Sequence, residues 1–195
     1  RTAKIIAAAS LYHWNSSAVS ETAALYPEMT VREIPIELSG REVNAMLEHS
    51  YEKCLGQAEH IRNIKDIQKK EAFEVLIHGR IPVMQSTQCL KKTTGHCNKT
   101  SEEIWLEDKK GRKLPVTTHC RECYNLIWQD KPYNLIGEDL TGSIPYVTRH
   151  RFDLFHMSEK EIKEMKDRYL IWQENHFMCD LQKDDTEHHW NYGIE

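Results

Sequence analysis

Six cysteines stand in this 195-residue chain, and four of them, Cys89, Cys97, Cys120 and Cys123, fall within 35 residues. Their spacing is C-x7-C-x22-C-x2-C. Thiolates grouped in this way bind Zn²⁺ tetrahedrally or hold an iron–sulfur cluster. The closing C-x2-C suits either. The gap of seven is longer than the two to four or so of a zinc knuckle and suits a cluster, which is larger than one ion. His96 and His119 each precede a cysteine. Either could replace a ligand, support the sulfurs, or be a plain loop residue. From the residues alone, structural zinc, a cluster and no metal all stay open. Lys91, Lys92 and Lys99 lie close in sequence to the sulfurs. Positive charge and backbone N–H groups there would offset the charge of four thiolates. Cys54 and Cys179 have no partner at ligand spacing and read as core or surface thiols. The clustering favours a metal over a disulfide framework, and the N-terminal residues lack the pattern of a secretory leader.

Composition narrows the surroundings of such a centre. The chain carries 26 basic and 30 acidic residues, a net charge of −4, which argues against a general nucleic-acid binder. The charge is uneven. Residues 89–123 hold eight basic and five acidic side chains, so that segment is +3 and the remainder −7. A local anionic partner fits there, and so does a plain solvated hairpin. Apolar residues make up 39% of the chain, enough for one core. No apolar run approaches the 18 or so residues of a membrane-spanning helix, and a cytoplasmic location is expected. The first residue is Arg1, which reads as a processed chain or a piece of a longer one. H-E-x-x-H, G-x-S-x-G, P-loop and G-x-G-x-x-G motifs are absent, so neither a metallopeptidase helix nor a nucleotide cofactor is indicated.

The elements that must position the cysteines change character along the chain. Residues 4–10 form a short apolar run of the buried-strand type. Asn15, Ser16 and Ser17 can cap a helix that Pro27 ends. Residues 31–36 read as the next strand. Ser39 and Glu42 make a capping box, and Val43, Met46 and Leu47 form the core-facing stripe of the helix behind it. Residues 51–72 read as polar and helical, and residues 73–77 as a third strand. This alternation predicts a parallel sheet. Helical periodicity stops after Pro82. Residues 104–106 and 113–116 flank Asp108-Lys109-Lys110-Gly111 and predict a β-hairpin with Gly111 at a positive φ. Residues 146–154 read as a last strand. Ser158 and Glu161 make a second capping box, ahead of a helix whose face carries Ile162, Met165, Tyr169 and Trp172.

The segment Gly79-Arg80-Ile81-Pro82-Val83-Met84, then Ser86-Thr87-Gln88-Cys89 and Lys91-Lys92-Thr93-Thr94-Gly95-His96-Cys97, resembles the central signature of the collagenase-like peptidase family, U32. The likeness continues through Leu106-Glu107-Asp108-Lys109-Lys110-Gly111, Leu114-Pro115-Val116 and Cys120-Arg121-Glu122-Cys123-Tyr124-Asn125. Upstream, Ile34-Pro35-Ile36-Glu37-Leu38-Ser39 is similar to a strand of that family ending in P-x-E-L. Residues 189–195 are similar to its G-H-x-x-R-G tail, with Tyr192 where the family has Arg and His188 where Gly is usual.

The resemblance implies an α/β fold: the later strands of a (β/α)₈-like TIM barrel plus a cysteine-bearing β-hairpin insertion. It divides the chain into a partial barrel portion (1–84), a four-cysteine segment (85–128), and a C-terminal barrel strand, helix and tail (129–195). The N-terminal barrel half would be missing. Relatives in that family are iron–sulfur proteins that hydroxylate tRNA, rRNA or ubiquinone precursors without O₂, with prephenate implicated as oxygen donor. The resemblance therefore implies a 4Fe–4S cluster on Cys89, Cys97, Cys120 and Cys123, and RNA or a small anionic donor as partner. Arg80 and His78, at or just past the end of the third strand, are expected to bind an anionic group and to serve as an acid–base group. Glu37 ends its own strand similarly and, with Arg80 and His189, is a candidate substrate contact. Two other functions remain in play: a peptidase, as the family name implies, and a zinc-stapled, non-enzymatic binding module.

Overall fold

The computed structural model describes residues 5–57, 72–138, 140, 147–175 and 190–191. The chain opens with β1 (Ile5–Ala7), a 3-10 turn (Ala9–Leu11), α1 (Ser16–Leu25), β2 (Met29–Glu33), α2 (Gly40–Gln57) and β3 (Ala72–Gly79). The start signals read from sequence act as expected. Asn15 Oδ1 accepts the Ala18 N–H at 2.9 Å and begins α1. Glu42 Oε2 accepts the Ser39 N–H at 2.8 Å and the Ser39 hydroxyl at 2.7 Å, while Ser39 Oγ accepts the Glu42 N–H at 3.3 Å. This reciprocal box satisfies donors that the first turn of α2 leaves open. Val43, Met46 and Leu47 are buried, as the stripe required. The charged run over residues 51–72 is helical as far as Gln57, and its remainder to residue 71 lies outside the described residues.

β1, β2, β3 and β9 (Val147–Phe152) pair in parallel, with β2 and β9 on opposite edges of β3. β3 is the central strand, and Phe73, Val75, Leu76, Ile77 and His78 along it are all buried. Burial on both faces explains why its sequence is apolar without alternation. The parallel pairing expected from the alternation holds for β1, β2 and β3, and one short antiparallel strand adds to the sheet. β8 (Tyr133–Asn134) pairs antiparallel with His78 and Gly79, continuing the edge that β2 leaves after Glu33. Two residues after Pro132 give too short a pattern to read as a strand. They are held there by the Leu135 N–H bonded to the Ile77 carbonyl at 2.7 Å.

A second sheet, antiparallel throughout, runs β4 (Pro82–Ser86), β7 (Tyr124–Trp128), β6 (Lys113–His119), β5 (Glu103–Glu107). Its β5–β6 hairpin is the one expected from sequence. Gly111 takes φ +77°, and Asp108 Oδ1 accepts the N–H groups of Lys110 (2.8 Å) and Arg112 (2.9 Å). The sheet starts at Pro82, and β4 pairs along its length with β7. A short helix, α3 (Leu90–Thr93), follows Cys89. The last helix, α4 (Glu159–Asn175), begins at the Ser158–Glu161 box, whose carboxylate accepts the Ser158 hydroxyl and N–H at 2.6 and 2.7 Å. Among the described residues no helix is long and apolar enough to cross a membrane.

Two histidines tie stability to pH. Burial, and then the nearby Arg32 guanidinium, hold His13 below its ordinary range. Burial does the same for His150, whose Nδ1 lies 2.9 Å from the Tyr169 hydroxyl. The folded state disfavours both imidazolium forms, so the unfolded chain binds more protons just below pH ~6.5. This contribution is present above that pH and is lost as pH falls through it. The melting temperature is expected to drop between about pH 6.5 and 5, before the carboxylates protonate. His13→Asn should flatten part of that drop. A melting temperature constant over the interval would refute the assignment.

Candidate metal centre and adjoining cavities

The cysteines gather because the second sheet brings the ends of β4, β6 and β7 together. The His119–Tyr124 pair closes the β6–β7 ladder, and residues 120–123 form the tight turn beyond it. The His119 and Tyr124 rings stack with centroids 4.3 Å apart. Cys123 takes φ +57° in the turn. Cys89 is drawn to the same end from β4. Asn125 Nδ2, next to Tyr124, donates to the Gln88 carbonyl at 2.8 Å. The loop after Cys97 folds over the turn, where the Cys120 N–H donates to Ser101 Oγ at 3.0 Å.

At the level of the sulfurs the centre is not closed. Among the described residues no three His, Cys, Asp or Glu side chains converge on one point where they could hold an ion. Cys120 Sγ lies within hydrogen-bond reach of the Thr100 carbonyl at 3.0 Å, and Cys123 Sγ of the Cys120 carbonyl at 3.7 Å. Ligation requires the thiolate form. Cys89 Sγ instead accepts the Lys92 N–H at 3.4 Å, a contact that also suits a ligated sulfur. Nε2 of His119 is buried with no hydrogen-bond partner among the described residues, which leaves a polar atom unsatisfied at the sulfur end. Four soft donors and this orphaned nitrogen fit a thiolate-held metal or cluster. His96 is exposed.

The two sheets meet at Arg80, between β3 and β4. Its Nη1 donates to the Gln129 carbonyl at 2.9 Å and also to the Asp130 carbonyl. A cavity of about 450 Å³ lies beside it, lined by His78, Lys131, His156, Glu161 and Arg168 among others. The Ser158 hydroxyl and N–H hold the Glu161 carboxyl below the usual range, and the charges of Arg80 and His78 add to this. A second cavity of about 240 Å³ lies at the C-terminal ends of β1, β2, β3 and β9, lined by Tyr12, Glu33, Glu37, Arg80, Arg151 and Asp153. Glu33, buried there, pairs with Arg151 and accepts the Ala9 N–H at 3.0 Å. Burial, and then the carboxylates of Glu138 and Glu37, push the Tyr133 phenol above its ordinary range.

No family model, curated protein or solved structure matches the chain. The site therefore stands on its own residues. Cys89, Cys97, Cys120 and Cys123 share one end of the second sheet. Arg80 and His78 line the larger cavity, and Arg80 and Glu37 the smaller one. One guanidinium nitrogen of Arg80 is already committed to carbonyls. His189 lies outside the described residues.

Sequence reading passed over His156 and Tyr12. His156 Nδ1 lies 2.5 Å from Glu103 Oε1 on β5, and its Nε2 lies 3.3 Å from Thr117 Oγ1 on β6. Thr117 in turn accepts from Trp128 Nε1 at 2.9 Å. One wall of the larger cavity is thereby fastened to the cysteine-bearing sheet. Tyr12, Lys99, Cys123 and His156 are the four non-glycine residues with left-handed φ among the described residues. Each lies at the sulfur end or in a cavity wall, and strained backbone gathers at functional sites. No pattern in the sequence marks these positions, because φ is decided by tertiary contacts.

Gly79 ends β3 between His78 and Arg80, which line the cavities. A Cβ there would lie 2.6 Å from Asp153 Cβ and 3.0 Å from the Asp153 carbonyl oxygen. Gly79→Ala must push β3 and β9 apart at their C-terminal ends. A loss of about 1–3 kcal/mol is expected in urea unfolding, and an unchanged midpoint would show that the contact yields freely.

Proposed function

We propose that the chain is the cysteine-bearing part of an iron–sulfur enzyme of the U32 type that hydroxylates a pyrimidine in RNA, or a related substrate, without O₂. The observation that carries the reading is that the turn and loops bearing the four cysteines lie at one end of a sheet. That sheet is joined through Arg80 and His156 to a cavity at the C-terminal end of a parallel strand, where α/β enzymes commonly place their sites. When bound, the cluster would supply an electron relay or a Lewis-acidic iron. The chain's own residues bind and orient. Lys131 and Arg168 line the larger cavity beside the pinned Arg80, interspersed with Asp130, Glu161 and Glu164, so a phosphate or donor carboxylate would meet cations set among carboxylates. His78 stands next to these charges as the acid–base candidate, with Glu161 kept ionised beside it. The four parallel strands pair in chain order, which supports reading them as part of a barrel. The exposure of Ile5 and Ile6 on β1 supports further βα units extending the sheet past that strand.

The test is anaerobic purification followed by assays of iron, acid-labile sulfide and zinc, with a visible spectrum. About four iron and four sulfide per chain are expected, as in a 4Fe–4S centre. One zinc without sulfide would replace the redox reading with the zinc-stapled module.

A further inference from the structure

Among the lysines near the sulfurs only one is buried. Lys91 is 4% exposed, whereas Lys92 and Lys99 are exposed. A lysine is rarely buried unless it is paired. Its Nζ donates to the Thr100 carbonyl at 2.8 Å, bonds Asn98 Oδ1 and pairs with Glu102. Each partner leads to a cysteine. Asn98 follows Cys97 directly. The Thr100 carbonyl also accepts from Cys120 Sγ. Glu102 is bonded through its N–H and carbonyl to Thr118, two residues before Cys120, at 2.9–3.0 Å.

We propose that Lys91 is the internal counter-charge of the four-cysteine centre and the positioning residue for Cys97 and Cys120. The proposal rests on the metal-centre reading above. Four thiolates outweigh the charge of one divalent ion, and of an iron–sulfur core, so the loaded centre is net negative. An ammonium fixed out of water beside it offsets that charge far more than a solvated lysine can. Glu102, half-exposed, pairs with Lys91. On ligation the ammonium has sulfur charge to face as well.

Cobalt(II) titrated into the full chain without oxygen, followed by its thiolate charge-transfer absorption and by competition with a chelator, tests this. Lys91→Met is expected to weaken cobalt binding about tenfold or more, and Lys91→Arg to stay within about threefold of wild type, in line with the effects of groups that support metal ligands. Glu102→Gln separates charge from scaffolding. Removing the carboxylate leaves the ammonium to the sulfurs, so affinity should hold or rise. Should Lys91→Met bind like wild type, or Glu102→Gln weaken binding as much as Lys91→Met does, the counter-charge role is overturned. If Lys91→Met fails to fold, the direction of the Glu102→Gln change still decides. Wild-type protein without the thiolate–cobalt band would overturn the metal-centre reading itself, a result distinct from either failure.

Discussion

Cys120→Ala is expected to abolish iron and sulfide incorporation, the largest effect of any single change in this chain. Cys120 opens the turn between β6 and β7, and its neighbours hold the other cysteine loops. Its N–H bonds Ser101 and its sulfur bonds the Thr100 carbonyl. Removing the sulfur takes away one of four donors and a tie to the loop that carries Cys97. A three-thiolate remnant has no other cysteine at the matching spacing. Iron per chain, read together with absorption near the usual cluster bands, should fall to background, and Cys97→Ala should do the same. Cys54→Ser serves as the control and should leave the metal content unchanged. Because ligation takes the thiolate form of cysteine, metal affinity should also rise with pH. Cluster retained at full stoichiometry in Cys120→Ala would remove this residue from the ligand set.

The second large effect is expected in the main core, on stability. Trp190 is 5% exposed and belongs to the main core with Val43, Leu47, Phe73 and Ile77. Its carbonyl accepts the Gly40 N–H at 2.8 Å, and its ring lies where a Cβ on Gly40 would come within 3.0–3.2 Å. The start of α2 is thus built around this ring. Asn191 Nδ2 adds a contact to Glu138 Oε1 at 3.3 Å. Trp190→Ala should lower unfolding free energy by about 3–5 kcal/mol through lost burial and the cavity left behind. Trp190→Phe should recover much of that. Urea unfolding at neutral pH reads both. A loss below about 1 kcal/mol would mean that the surrounding helix closes over the gap. Metal stoichiometry, measured well below the melting point, should be the same in this variant as in wild type, because the sulfur end belongs to the other sheet.

Local signals were legible in the sequence wherever one short segment decides the outcome. Both capping boxes, the Asn15 cap, the β5–β6 hairpin with Gly111 at its turn, and the buried β3 strand depend on neighbours a few residues apart. A side chain that caps its own helix needs no distant partner. The cysteine cluster was visible for the same reason: its closing C-x2-C is a single turn, and its chemistry depends on residue type.

What joins distant segments was not legible. Nothing in the spacing from Pro82 to Trp128 tells which strands neighbour which in the β4-β7-β6-β5 order, because pairing is settled by burial summed over the whole sheet. The antiparallel β8, two residues long, exists through its bonds to β3. Lys91, Lys92 and Lys99 look alike in sequence, and only packing buries the first against Asn98, Thr100 and Glu102. Arg80 reads as a free anion binder until the carbonyls of Gln129 and Asp130 are seen to take its Nη1. His156 carries no motif, and its link to Glu103 spans 53 positions in the chain. Residue types and short spacings therefore determined which chemistry this protein can hold. Long-range contacts decided where the sulfurs, the buried charge and the cavities stand, since those positions are set by free energies that no local stretch contains.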